Sequence, residues 1–321
     1  MISEKAKMML EGREVLILGG TGSLGKTLIH ILKAETKPHG IRIFSRDEFK
    51  QFELRNTLKA EGLDENVAFL LGDVRNHKRL EMAMRGVDVI YNCAALKQVP
   101  ACEENPTEAV QTNILGAINI IEAAVCSDAK VVMHISTDKA VAPTNLYGMT
   151  KAVAERLFID ANVYTGGRFP KFSCCRYGNV IGSRGSVIPF FKKQKETGKL
   201  TITDFEMTRF FISLQEVAEF VINRSAEAAG GEIFIPKMES AKILDIAREI
   251  GQDCEYEEIG IRDGEKIHEV LISEDESIYC YENKNHYVID RGNIIHERFE
   301  YSSRNAPRMS AKKIKEICEN V

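Results

Sequence analysis

No excess of either charge marks this chain: 43 lysines and arginines stand against 47 aspartates and glutamates, a net charge of −4 over 321 residues. That balance removes any electrostatic reason to bind nucleic acid or an anionic membrane surface. No apolar run is long enough to span a bilayer. The first eleven residues mix Glu and Lys with apolar side chains and lack the apolar stretch of a signal peptide. Eight cysteines are present, but none forms a CxxC pair, and the seven histidines show no ligand spacing, so neither a metal site nor a redox dithiol is indicated. Repeats and low-complexity linkers are missing too. A soluble protein with reduced thiols, located in the cytoplasm, is expected. With 44% hydrophobic residues, the length suits one large or two unequal domains.

From Arg13 onward, short apolar runs alternate with helix-like stretches. Residues 15–18, 41–44, 67–71, 87–91, 130–135 and 171–176 read as strands, and 106–125 as one long helix. Strands apolar on both faces and separated by helices predict α/β architecture: a Rossmann-like doubly wound parallel sheet. After about residue 180 the alternation decays, which predicts a smaller mixed α/β C-terminal domain. Residues 1–180 with about 206–236 are assigned to the first domain, and 181–205 with 237–321 to the second.

The first strand runs into Gly19-Gly20-Thr21-Gly22-Ser23-Leu24-Gly25 and then a helix. The GxxGxxG spacing of Gly19, Gly22 and Gly25 supplies a tight turn, close backbone approach to a pyrophosphate, and close helix–sheet packing. Thr21, Ser23 and Leu24 complete the turn at a helix N-terminus, whose dipole favours phosphate. At the end of the second strand stand Ser45 and Arg46, with Lys50 following and no acid first. A hydroxyl and two cations cradle a 2′-phosphate, so NADP is the expected cofactor of the first domain. Asp73 and Val74 are placed to meet the adenine, and Ala94 and Ala95 let the chain pass under the cofactor.

Ser136-Thr137-Asp138-Lys139 caps the fifth strand, and Tyr147 and Lys151 follow, four apart on one helix face. A lysine so placed contacts the nicotinamide ribose and, as a cation, lowers the tyrosine pKa towards neutrality. Desolvation and a nearby cation are expected to lower the pKa of Lys139, leaving it uncharged as a base.

These motifs resemble the extended short-chain dehydrogenases that act on nucleotide sugars, and more narrowly the configuration-inverting UDP-N-acetylglucosamine 4,6-dehydratases of pseudaminic acid synthesis. The matching stretches include GGTGSLGK, STDKAVAPTNLYGMTK, RYGNVIGSRGSVIPFF, ITDFEMTRFF, GEKIHE and YSSRNAP, nearly the whole chain. The resemblance implies a transient oxidation. Tyr147 deprotonates the C4 hydroxyl, Lys139 removes the C5 proton, Asp138 protonates the departing C6 hydroxyl, and Thr137 orients the C4 oxygen. Retaining relatives carry Glu where Lys139 stands. It also implies cofactor contacts at Lys97, Asn113, Ser136 and Lys151, and substrate contacts at Lys97, Tyr177, Asn179, Val180, Arg184, Thr203, Arg209 and Glu265. The helix after Tyr147, with Ala152, Ala154, Leu157, Phe158 and Ala161, is expected to meet a second copy in a homo-oligomer. Two other readings stay open: a UDP-N-acetylglucosamine C4 or C5 epimerase or capsule-type 4,6-dehydratase, many of which place Met at the position of Tyr147, and a non-catalytic NADP-binding regulator on the same fold.

Overall fold

Runs that are apolar on both faces cannot lie at a surface, so they become central strands. The computed structural model describes residues 1–183, 186–292, 294 and 298–319. In it, Glu14–Leu18 (β1), Gly40–Ser45 (β2), Val67–Leu71 (β3), Val89–Asn92 (β4), Val131–Ile135 (β5), Lys171–Cys175 (β6) and Ile233–Pro236 (β7) share one sheet with Cys280–Glu282 (β8) and His286–Ile289 (β9). Its order is β8-β9-β7-β6-β5-β4-β1-β2-β3. β1 to β7 are parallel, and β9 and β8 add antiparallel at the edge. This is the Rossmann-like doubly wound arrangement: the order reverses between β1 and β4, where a ligand crevice opens at the carboxyl ends of the strands.

The stretch read as one long helix is helical from 106 to 125, but a π turn, Gln111–Leu115, interrupts it. The wide turn carries Asn113, whose amide bonds both the N–H and the C=O of Leu96 (2.9 Å each) and the Thr150 hydroxyl (3.0 Å). A second core gathers Ile188, Phe191, Leu200, Phe211, Ile246 and Ile314. Strand Thr208–Ile212 joins the two cores, because successive side chains point to opposite faces: Phe210 enters the larger and Phe211 the smaller. Residues 270–289, grouped above with the smaller domain, supply Leu271, Ile272, Val288 and Ile289 to the larger core, since β8 and β9 complete the edge beside β7. On the helix Leu146–Asp160 and just beyond it, Ala154, Phe158 and Ala161 are wholly buried in the chain's own core. Those three side chains therefore cannot face a second copy, whereas Ala152 and Leu157 are half-buried and Met149 and Val153 on the helix are exposed.

Arg176 directly follows β6 and is fully buried. Its guanidinium donates to Glu155 (3.0 and 2.5 Å), to Glu276 (3.0 and 2.8 Å) and to the Leu271 carbonyl (2.8 Å). Removing one partner of such a cluster leaves buried carboxylates uncompensated, so Arg176→Met is expected to cost about 3–5 kcal/mol of stability. A lower denaturant midpoint at unchanged m-value checks this. No helix among the described residues is long and apolar enough to cross a membrane.

Candidate active site

The carboxyl ends of the parallel strands open into a cleft of about 700 Å³. The Gly-rich turn forms one wall. Gly19 has φ +75°, and a Cβ there would lie 2.9 Å from backbone atoms of Cys93 and Ala94. A Cβ on Gly25 would lie 2.6 Å from the Gly20 Cα, so glycine is what lets the helix Ser23–Glu35 seat on the turn. That helix starts at Gly22 with no side-chain cap, leaving its first-turn N–H groups for a ligand.

Thr21, Ser23, Leu24, Ser45, Arg46, Lys50, Asp73, Val74, Ala94, Ala95, Lys97 and Ser136 line the same cleft. Ser45 is fixed by the Gln51 amide, which donates to its hydroxyl, its carbonyl and that of Leu70 (3.0 Å each). Lys50 pairs with Asp47 at 2.5 Å, and Asp47 in turn caps the helix Glu48–Ala60. Burial works to raise the Asp73 carboxyl, but Arg75 and Arg46 outweigh it and hold it below the usual range. Asn113 sits behind the cleft, where it fixes Leu96. The hydroxyls of Thr112, Ser136 and Ser186 line the cleft, buried and without a protein partner. Uncapped helix N–H groups, a glycine cradle and orphaned hydroxyls fit the phosphates and riboses of a dinucleotide.

A dense ionic cluster lies at the end of β5. Thr137 caps the short turn Asp138–Ala140, and its hydroxyl donates to Asp138 Oδ1 at 3.0 Å. The Lys139 ammonium donates to Asp138 Oδ1 at 3.0 Å and to Asn179 Oδ1 at 3.4 Å, and lies 3.5 Å from Glu269 Oε1. Asp138 is fully buried, and its Oδ2 has no partner. Burial pushes the Asp138 carboxyl up, against the pull of Lys139. For Lys139, burial acts downward, but the carboxylates of Asp138 and Glu269 outweigh it and the amine is held above its ordinary value. The expected uncharged Lys139 is thereby corrected: it rests as an ammonium, because two carboxylates face it. Burial also pushes the Tyr147 phenol up to about 12, while Lys139 and a hydrogen bond to Thr137 act in the opposite direction. Lys139 is thus the foremost cation easing Tyr147 ionisation in the cofactor-free chain. Burial brings Lys151 itself down to about 8.

Tyr177, Asn179 and Val180 line the cleft beside this cluster. Arg209 is buried behind it, donating to the carbonyls of Thr208 (2.8 Å) and Ile267 (3.1 Å) and lying 3.7 Å from Glu269. Thr203 and Glu265 are half-buried away from the lining, and Arg184 lies outside the described residues. Glu269 was given no role from sequence. It stands in a charged run that reads as a solvated turn, yet it is 3% exposed, with its N–H bonded to the Ser303 hydroxyl (2.9 Å) and Oε2 unpartnered. The GEKIHE motif was the available signal.

Residues 15–291 match the family described as polysaccharide biosynthesis protein. Over 95% of the chain and 96% of the relative, the sequence is 43% identical to a UDP-N-acetylglucosamine 4,6-dehydratase (inverting) of Campylobacter jejuni subsp. jejuni. It is 37% identical to a UDP-glucose 4-epimerase of Rickettsia felis, over 98% and 97% of the two chains. The X-ray structure of Pen from Bacillus thuringiensis superposes with a TM-score of 0.91 at 37% identity, covering 98% of this chain and 99% of that one. Solved structures at 18–21% identity and TM-scores of 0.61–0.68 share the fold and include complexes with NAD.

Proposed function

The chain belongs to the polysaccharide biosynthesis protein family, and on that premise we propose that it removes water from UDP-N-acetylglucosamine to give a UDP-4-keto-6-deoxy sugar inverted at C5. The observation that carries this reading is the 3.0 Å contact between Nζ of Lys139, which lines the cleft, and Oδ1 of Asp138, buried directly behind it. A proton passed along that bond turns an ammonium and a carboxylate into an amine and a carboxylic acid, the base and the acid that a β-elimination across C5 and C6 needs.

Tyr147 takes the C4 hydroxyl proton, with Thr137 aligning the oxygen. A nicotinamide dinucleotide would be held by the Gly19–Gly25 turn and the residues around Ser45, and would supply a hydride acceptor for C4 able to give the hydride back at C6. The ketone acidifies the C5–H bond. Lys139 removes that proton, and Asp138 donates to the C6 hydroxyl as it leaves as water. Reprotonation of C5 from the opposite face inverts it. A C4 epimerase, the activity named for the Rickettsia relatives, needs neither Asp138 nor Lys139 in these roles. Incubation with UDP-N-acetylglucosamine tests the reading: the product is short of one water, with no net reduction of the cofactor, whereas an isomer of unchanged mass overturns it.

The cofactor proposed is NADP, from Ser45, Arg46 and Lys50 at the mouth of the cleft. Calorimetry on the cofactor-free chain is expected to give at least a tenfold preference over NAD, about 1.4 kcal/mol. Equal affinity contradicts it. We further place the reaction in the cytoplasm, as a step towards pseudaminic acid or another surface glycan. The active form is a homo-oligomer joined in part through the exposed Met149 and Val153.

A further inference from the structure

Lys151 is almost wholly buried, and its Nζ lies 2.9 Å from His134 Nε2 and 2.5 Å from the Ile135 carbonyl. His134, itself buried in β5, stacks on Phe158 with ring centroids 4.2 Å apart, and its Nδ1 lies 2.9 Å from Asn92 Nδ2. Asn92 is oriented by a further contact: its Oδ1 accepts the Ala94 N–H at 3.2 Å. A side-chain amide nitrogen can only donate, so His134 Nδ1 must accept. The neutral ring then carries its proton on Nε2, and that N–H points at Lys151. An ammonium has no lone pair to receive it; an amine has one, and still donates to Ile135.

We infer that the arrangement of His134 and Asn92 seen here is the one that holds Lys151 as a neutral amine, and that Lys151 gains a proton only together with a change of the His134 tautomer and a turn of the Asn92 amide. For Lys151 to be an ammonium, Nε2 must accept and Nδ1 must carry the proton. Asn92 must then present its oxygen to Nδ1 and its nitrogen to the Ala94 N–H, losing that bond. Ala94 lines the cleft, so the device connects the proton on Lys151 to the wall beside a bound dinucleotide. His134 is a positioning residue in this arrangement; the inference is independent of which sugar the cleft takes.

The surroundings agree. Besides His134, Lys151 is faced by Cys174 of β6, Glu155 of its own helix and Cys93 beyond β4. Burial pushes the Cys93 thiol up to about 12 and Cys174 well above its ordinary value, so both stay uncharged. Glu155 is occupied by Arg176. Burial keeps the His134 ring neutral.

Nitrogen NMR of His134 and ε-carbon NMR of Lys151, followed through a pH titration of the full-length cofactor-free chain, test the inference. The ring is expected to carry Nε2–H at alkaline pH and to move to Nδ1–H with the same midpoint as Lys151, near 8. A ring that keeps one tautomer while Lys151 titrates overturns the coupling, as does a Lys151 that titrates at the ordinary lysine value. In His134→Gln, the amide oxygen can accept from an ammonium whatever Asn92 does. Its Lys151 midpoint is expected to rise by about one unit or more, a tenfold gain in proton affinity. An unchanged midpoint in that variant also overturns the inference.

Discussion

Tyr147→Phe is expected to lower turnover of UDP-N-acetylglucosamine by about 10³-fold, within the range for loss of a general acid–base group. The change removes one oxygen and leaves the helix Leu146–Asp160 packed as before, so cofactor affinity and thermal stability are expected to stay close to the parent. Because oxidation at C4 precedes every later step, the variant should exchange no C5 hydrogen with solvent. Burial raises the phenol, so the parent's activity is expected to increase as the pH rises on the alkaline side. C5 exchange at the parent rate in Tyr147→Phe would assign the first proton transfer to another group.

Lys139→Ala is expected to reduce turnover by about 10²-fold or more while leaving NADP binding intact. Here oxidation remains possible, so a 4-keto sugar can form with little deuterium at C5, a pattern opposite to that of Tyr147→Phe. The Lys139 amine also separates two carboxylates, Asp138 and Glu269. Its removal should therefore raise the affinity of that pair for a proton, since like charges without a cation between them resist ionising together. Normal turnover with inverted product in Lys139→Ala would remove it as the C5 base.

The legible parts of this protein are those governed by local rules. The turn Gly19–Gly25 announces itself through steric demands that only glycine meets. The strands β1 to β6 do so through apolar runs, and Thr137, Asp138, Lys139 and Tyr147 through their position after β5. What stayed hidden depends on distant segments. The second carboxylate facing Lys139 after Asp138 is Glu269, 130 positions away in the chain, and a Glu inside a charged run gives no sign of burial. Strands β8 and β9 are short and edge-bound, so their periodicity is too brief to separate from loop. The π turn at Gln111–Leu115 leaves the apolar spacing of a helix nearly intact and is set by the contacts of Asn113. His134 reads as one more residue of an apolar strand until Lys151 and Asn92 close on its two nitrogens.

The central claim is that one site oxidises, eliminates and re-reduces, with Lys139 and Asp138 exchanging a proton between them. NMR of the product formed from UDP-N-acetylglucosamine in deuterated water with catalytic NADP tests it most directly. The account predicts a 4-keto-6-deoxy UDP-sugar, inverted at C5 and carrying one deuterium there. A C4 epimer retaining its C6 hydroxyl and all its C5 hydrogen would contradict it.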